Sequence, residues 1–179
     1  LSGYSGSRTY GDNNSSITYT GTMGGTVYGS DQVAIGGSVD SSITNRSNAG
    51  SYSGMLTAAL TGSDAGNYVL TGTPVTGNLT INKALLNVTG YGGSRTYGDD
   101  NSNITYSGSL SGQKFADDVV TVSGSAASSI DGHSNAGTHS NVLTAALTGS
   151  SANNYTLSLT NTPVTGDLTI NQAVLTVSG

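Results

Sequence analysis

The chain has 179 residues, among them 27 Gly, 2 Pro, no Cys and no Trp, and a formal net charge of −5. Five Lys and Arg make no basic patch, so nucleic acid is excluded as a partner, and no run nears 18 apolar residues, so membrane insertion by a helix is excluded. Only 8% of residues are charged, against ~25% in an average soluble domain, and without Cys there is no disulfide framework and no thiol nucleophile.

All acidic residues are Asp, and the straight-chain polar helix formers are scarce, so long surface helices have little to be built from. Thr, Val, Ile and Tyr suit strands, while Asn, Asp and Gly suit turns. Taken in order, Ile17-Thr18-Tyr19 alternates apolar and polar, after a turn at Gly11–Ser15. Gly24-Gly25 is a second turn, followed by a weak strand candidate at Gln32–Ile35. Ala49-Gly50-Ser51-Tyr52 leads into Met55–Leu60, where Ala-Ala-Leu would allow one helical turn. That run is too short to stand alone as a helix, and strand is the favoured reading. Thr61–Gly66 is a turn, Asn67-Tyr68-Val69-Leu70 a strand, Thr76-Gly77-Asn78 a turn and Leu79-Thr80-Ile81 a strand.

The chain then says nearly the same thing again. Ser7–Asp12 (SRTYGD) returns as Ser94–Asp99, and Leu56–Ser63 (LTAALTGS) returns as Leu143–Ser150, both at an offset of 87. Thr73-Pro74-Val75-Thr76-Gly77 returns as Thr162–Gly166 at an offset of 89, which places two extra residues near Ser158–Asn161. Tyr10, Tyr19 and Tyr68 match Tyr97, Tyr106 and Tyr155, a register that a disordered linker has no reason to keep. Ile104-Thr105-Tyr106, Val119–Val122 and Leu168-Thr169-Ile170 are the strand candidates of the second copy. The period is too long for a solenoid coil of ~20–45 residues and suits a small domain.

At the junction, Leu79 and Ile81 share one face, whereas Leu86 and Val88 have the opposite parity. Side chains alternate with period 2, so the chain there changes the core it feeds. The same switch runs from Leu168 and Ile170 to Leu175 and Val177. The expected modules are therefore 1–83 and 84–172, with 173–179 as the first strand of a third. Leu1 aligns with Val88, so the first module is expected to lack the start of its first strand, and the chain to be a piece of a longer protein. A missing strand at one end and a spare one at the other suggest head-to-tail self-association through 173–179.

Arg8–Asp12, Ile17–Tyr19, Asn48–Tyr52, Asn67-Tyr68 and Gly77–Ala84, in that order, resemble the MBG repeat of YGX type and the related YDG repeat. The second copy follows through Arg95–Asp99, Ile104–Tyr106, Asn135–Gly137, Asn154-Tyr155 and Gly166–Ala173. It departs at His139 for Tyr52 and Gln172 for Lys83. The resemblance implies a filamentous-haemagglutinin-like adhesin of a two-partner secretion system, secreted or held at the bacterial outer surface, in adhesion and biofilm settings. It implies no catalytic residues, neighbouring repeats of the same polypeptide as partners, and a β-grasp-like module; an Ig-like sandwich is the other fold expectation. The expected whole is mainly β, two tandem modules end to end as a rod.

No enzyme constellation is evident. The repeated Tyr10-Gly11-Asp12 and Tyr97-Gly98-Asp99 read as structural turns, with Tyr at a core edge, Gly at positive φ and Asp capping, rather than as binding residues; Tyr68 and Tyr155 join them as structural motif residues. Calcium is the one ion the loops could hold, through Asp12, Asp99, Asp100, Asp117 and Asp118, though no Asp-x-Asp-x-Asp-Gly spacing is present. His133 and His139 make a poor metal set without Cys or Glu. A Lys–Asn cross-link has no consistent lysine, since Lys83 becomes Gln172. N-x-[ST] matches such as those at Asn78, Asn87, Asn103 and Asn154 are expected from this composition alone. A stalk or extender is the leading expectation. The alternatives are a multivalent module for host or matrix glycans or mucin, using Tyr4, Tyr28 and Tyr91, and a calcium-rigidified extender.

Overall fold

The structure, a computed structural model, describes residues 1–72, 74–158 and 163–177. The added residues near Ser158–Asn161 fall largely outside them, as do Thr73, Thr162, Ser178 and Gly179. The protein is mainly β, with four three-residue 3-10 turns as the only helical elements among the described residues. It divides into two compact units, Leu1–Ala84 and Leu85–Gly179.

The first unit is one five-stranded sheet. Its strands are β1 (Ser2–Thr9), β2 (Thr18–Thr22), β3 (Ala34–Val39), β4 (Gly50–Thr61) and β5 (Thr76–Asn82), in the order β2-β1-β5-β4-β3. β1 and β5 run parallel at the centre, Gly6 opposite Leu79, and every other pair is antiparallel. The sheet curls until its outer strands β2 and β3 approach. The Tyr19 hydroxyl then donates to the Gly37 carbonyl at 3.0 Å, and the Tyr4 hydroxyl to that of Gly36 at 3.0 Å. Period-2 alternation puts Tyr4, Gly6 and Arg8 of β1 inside, with Gly77, Leu79 and Ile81 of β5. Leu56 and Leu79 are fully buried there.

The second unit repeats this plan with β6 (Ala84–Thr96), β7 (Thr105–Gly112), β8 (Thr121–Ala126), β9 (Gly137–Thr148), β10 (Tyr155–Leu157) and β11 (Thr165–Asn171). The order is β10-β6-β11-β9-β8, with β7 on the other side of β6. Ile104, Ile130, Leu143, Leu168 and Ile170 form its core. β6 is parallel to β11, Gly93 opposite Leu168.

Several local expectations change. Leu56–Leu60 lies within one long strand, not a helix. Gln32–Ile35 and Val119–Val122 sit too early: the strands are Ala34–Val39 and Thr121–Ala126, running on into Gly-Gly-Ser and Ser-Gly-Ser. Asn67–Leu70 contributes no strand, although its counterpart Tyr155–Leu157 does. Ala173–Val177 also forms no strand, because a strand needs a hydrogen-bonded neighbour and none lies beside it among the described residues. Each unit has one curled sheet, so the two facing sheets of an Ig-like sandwich are not what the strands build.

Candidate functional site

The repeated motif converges on a buried arginine. Arg8 is the last inward side chain of β1 and is 4% exposed. Its Nη2 donates to the Thr44 carbonyl at 2.5 Å and its Nη1 to the Thr9 carbonyl at 3.1 Å. Asn14, in the 3-10 turn Asn14–Ser16, accepts from Arg8 Nε and donates through Nδ2 to the Ile43 carbonyl at 2.7 Å. Two side chains thus take consecutive carbonyls of the 40–47 loop and seat Ile43 in the core. Burial pushes the guanidinium's pKa down, while the negative fields of Asp12 and Tyr52 oppose that shift. In the second unit Arg95 donates to the carbonyls of Thr96 and Asp131, and Asn101 Nδ2 to that of Ile130 at 2.7 Å.

The same loops carry local acid-centred turns. Asp40 Oδ1 accepts from the Ser42 hydroxyl at 2.6 Å and the Ser42 amide at 2.9 Å, which hold its carboxyl below the usual range. Asp131 Oδ1 accepts from the His133 amide at 2.9 Å, and that bond likewise lowers its pKa. His139 explains its own replacement of tyrosine: its Nε2 lies 2.8 Å from the Asn135 carbonyl, where the Tyr52 hydroxyl donates to Asn48 at 2.8 Å.

Tyr10-Gly11-Asp12 is a turn. Gly11 has φ +93°, its amide donates to Asn45 at 3.2 Å, and the Asp12 amide donates to Thr9 at 3.1 Å. Gly98, at φ +92°, and Asp99 repeat these bonds, and Asp99 Oδ2 also accepts from the Thr96 amide at 3.2 Å. Tyr10 is 3% and Tyr97 41% exposed.

The calcium candidates do not converge. Asp100 caps the 3-10 turn Asn101–Asn103 by position. Asp118 is buried, and its carboxylate accepts from the Tyr155 hydroxyl at 2.5 Å. Asp31 accepts from Tyr68 in the same way at 2.7 Å, which raises the pKa of that phenol. Among the described residues no three His, Cys, Asp or Glu side chains group as a metal site would require. Lys114 donates to the Asp118 carbonyl at 2.9 Å. Of the proposed aromatic platform, Tyr4 is buried and stacked on Tyr19, with ring centroids 6.1 Å apart, and Tyr91 stacks likewise on Tyr106 at 6.3 Å. Only Tyr28 of that trio is well exposed. Tyr4 is thus closed off, whereas Tyr91 is half-buried.

The sequence reading names Arg8 and Arg95 only within repeated motifs and singles out neither Asn14 nor Asn101. Their signal was present: few cations, repeated at one register position among inward-facing residues of a strand. Among the described residues no helix is long and apolar enough to cross a membrane. Comparison with models of protein families, with curated proteins and with solved structures finds no match.

Proposed function

We propose that the chain is a pair of spacer repeats from a large bacterial surface or secreted adhesin, whose task is to hold a binding region at a distance. One observation carries this reading: the residues repeated most faithfully are occupied in holding each unit together. Arg8 and Arg95 anchor loops, Tyr68 and Tyr155 bond to Asp31 and Asp118, and Tyr4 and Tyr91 stack on Tyr19 and Tyr106. A repeat selected for ligand contact would instead keep its matched residues on the surface.

The resemblance to MBG and YDG repeats supports the adhesin setting and the outer-surface location. The parallel pairing of each unit's first and last long strands, at the centre of a mixed sheet, supports a β-grasp-like assignment without the usual helix. The proposed mechanism is geometric, with the short connection from β5 into β6 limiting bending, in contrast to a Gly/Ser linker.

Small-angle scattering of the 179-residue chain, with and without calcium, tests this. A spacer gives one elongated particle that EDTA leaves unchanged. A flexible or compact particle rejects the spacer reading, and one that straightens with calcium replaces it with an ion-stiffened extender. Glycan binding lost on substituting Tyr28 would favour the multivalent binder.

A further inference from the structure

In each unit the strand by which the chain enters and the strand by which it leaves lie side by side and run the same way. Residues 5–9 of β1 pair in register with 78–82 of β5, and the Tyr10 amide adds a bond to the Asn82 carbonyl at 2.8 Å. Residues 92–96 of β6 pair with 167–171 of β11, and the Tyr97 amide donates to the Asn171 carbonyl at 2.8 Å. All four strands lie inside their sheets: β1 between β2 and β5, β5 between β1 and β4, β6 between β10 and β11, and β11 between β6 and β9. β5 ends at Asn82 and β6 begins at Ala84, so a pull along the chain passes from one exit strand to the next entry strand through Lys83 alone.

The parallel direction decides how such a pull acts. It draws the entry strand toward its N-terminus and the exit strand toward its C-terminus, so the two must slide past each other. The evenly spaced bonds between them are then loaded together, whereas an antiparallel pair pulled apart at one end opens bond by bond.

The side chains oppose the slide as well. Leu79 and Ile81, opposite Gly6 and Arg8, are buried. A slip of one residue turns the outward Ser7 into the core. A slip of two, about 6.6 Å, carries Arg8 to the place of Gly6. Even a Cβ there would stand 2.9 Å from both Ile17 and Leu56. The guanidinium would also leave the Thr44 carbonyl for an apolar interior, which is costly for a charge. Gly93 and Arg95 repeat the arrangement, since a Cβ on Gly93 would meet Ile104 at 2.8 Å and Leu143 at 3.0 Å.

We propose that each unit is a shear clamp that carries tension along the chain, with Gly6-Ser7-Arg8 and Gly93-Ser94-Arg95 as its stops against slippage. The clamp is a property of each sheet and does not rest on the spacer reading. A particle that is elongated in scattering but yields at low force would keep the spacer and remove the clamp.

Single-molecule stretching of the 179-residue chain tests it. The chain has no cysteine, so introduced thiols define where force is applied. Handles at the two ends load β1 against β5 and β6 against β11. Handles at Gln32→Cys and Ser63→Cys, both exposed, load the antiparallel β3–β4 pair from the end where Ala34 faces Thr61. This comparison leaves every strand residue unchanged. The expected result is two end-to-end steps, each releasing roughly 250 Å of chain at up to ~3.6 Å per residue, at a force well above that needed across β3–β4 at the same loading rate. Forced unfolding reports the unfolding barrier rather than the equilibrium stability. In Arg8→Ala one of the two steps should fall to lower force, with the unaltered unit as the reference. Asn14→Ala loosens the same loop by removing the bonds to Arg8 and Ile43 but leaves the arginine in the strand, so it should lower that step less. Comparable forces in the two pulling directions overturn the clamp. An Arg8→Ala step no lower than that of Asn14→Ala overturns the stop.

Discussion

Arg8 Nε donates to Asn14 Oδ1 at 3.1 Å in the first unit, whereas the matching atoms of Arg95 and Asn101 are buried without a partner in the second. The two arginines otherwise make the same pair of bonds to carbonyls. A lysine keeps the charge but loses the planar fork that reaches several carbonyls at once. Arg8→Lys is therefore expected to destabilise the first unit by about 1.5–3 kcal/mol, the range of hydrogen bonds to a charged group. Arg95→Lys removes one bond fewer, and its cost should be smaller by about 1 kcal/mol. Urea unfolding of both variants measures the difference. Equal losses would mean that the Arg8–Asn14 bond contributes nothing.

Gly37 and Gly124 set how closely β3 and β8 approach the tyrosines. A Cβ on Gly37 would come inside 3.0 Å of both the Tyr4 hydroxyl and the Thr57 carbonyl; on Gly124 it would meet Tyr91 and Thr144 in the same way. The carbonyl is fixed in the sheet, so the clash cannot be relieved by a side-chain rotation. Gly37→Ala is expected to cost about 1–3 kcal/mol, as overpacking generally does. Gly24→Ala is the control, since nothing lies within 4 Å of its Cβ. Thermal unfolding should separate the two variants by several degrees, and similar melting temperatures would show that the sheet can yield.

These glycines also mark where the sequence was hard to read. The period-2 pattern of Leu79 and Ile81, the long strand through Leu56–Leu60 and the Tyr-Gly-Asp turn were all legible from local alternation and turn chemistry. β3 was legible only at its start, through the candidate Gln32–Ile35, because Gly36-Gly37-Ser38 carries no apolar alternation. It is a strand because bulky tyrosines from β1 and β2 need a partner without side chains, and that requirement is tertiary. The buried role of Arg8 was hidden for the same reason: its acceptors are backbone carbonyls up to 36 residues away, which leave no mark on composition. Tyr155–Leu157 pairs beside β6 whereas Tyr68–Leu70 forms no strand, although the two local sequences are nearly identical.

Asp118 and Tyr155 form the shortest side-chain pair described in the second unit, at 2.5 Å, with Asp118 buried. The phenol also accepts from the Phe115 amide at 3.3 Å, so it holds the 114–118 turn. A carboxylate engaged this way is a structural acceptor. Asp118→Ala and Tyr155→Phe are each expected to cost about 1–3 kcal/mol, and a double-mutant cycle should give a coupling of about 1–2 kcal/mol, because each removes the other's partner. Calcium should leave the cycle unchanged. A coupling near zero, or one present only with calcium, would reassign Asp118 to the ion.

Alkaline pH should unfold the protein through its interior tyrosines. Burial, with the neighbouring Tyr19 and Tyr106 adding to it, pushes Tyr4 and Tyr91 up to about 12, and burial raises Tyr19 and Tyr106 themselves. An unfolded tyrosine ionises near pH 10. The folded state therefore binds these protons more tightly, and their contribution is intact below pH 10 and is lost as the pH climbs toward 12. The tyrosinate absorbance should accordingly show a late group that ionises together with loss of the β signal. The two copies differ in one further respect: the Tyr4 hydroxyl donates to Gly36, whereas that of Tyr91 is buried with no partner. Tyr4→Phe should cost about 1 kcal/mol, and Tyr91→Phe should be neutral or stabilising, since it deletes an unsatisfied buried group. Both substitutions should delay alkaline unfolding of their unit. If all tyrosines titrate together near pH 10 in the folded chain, the rings are not buried as described.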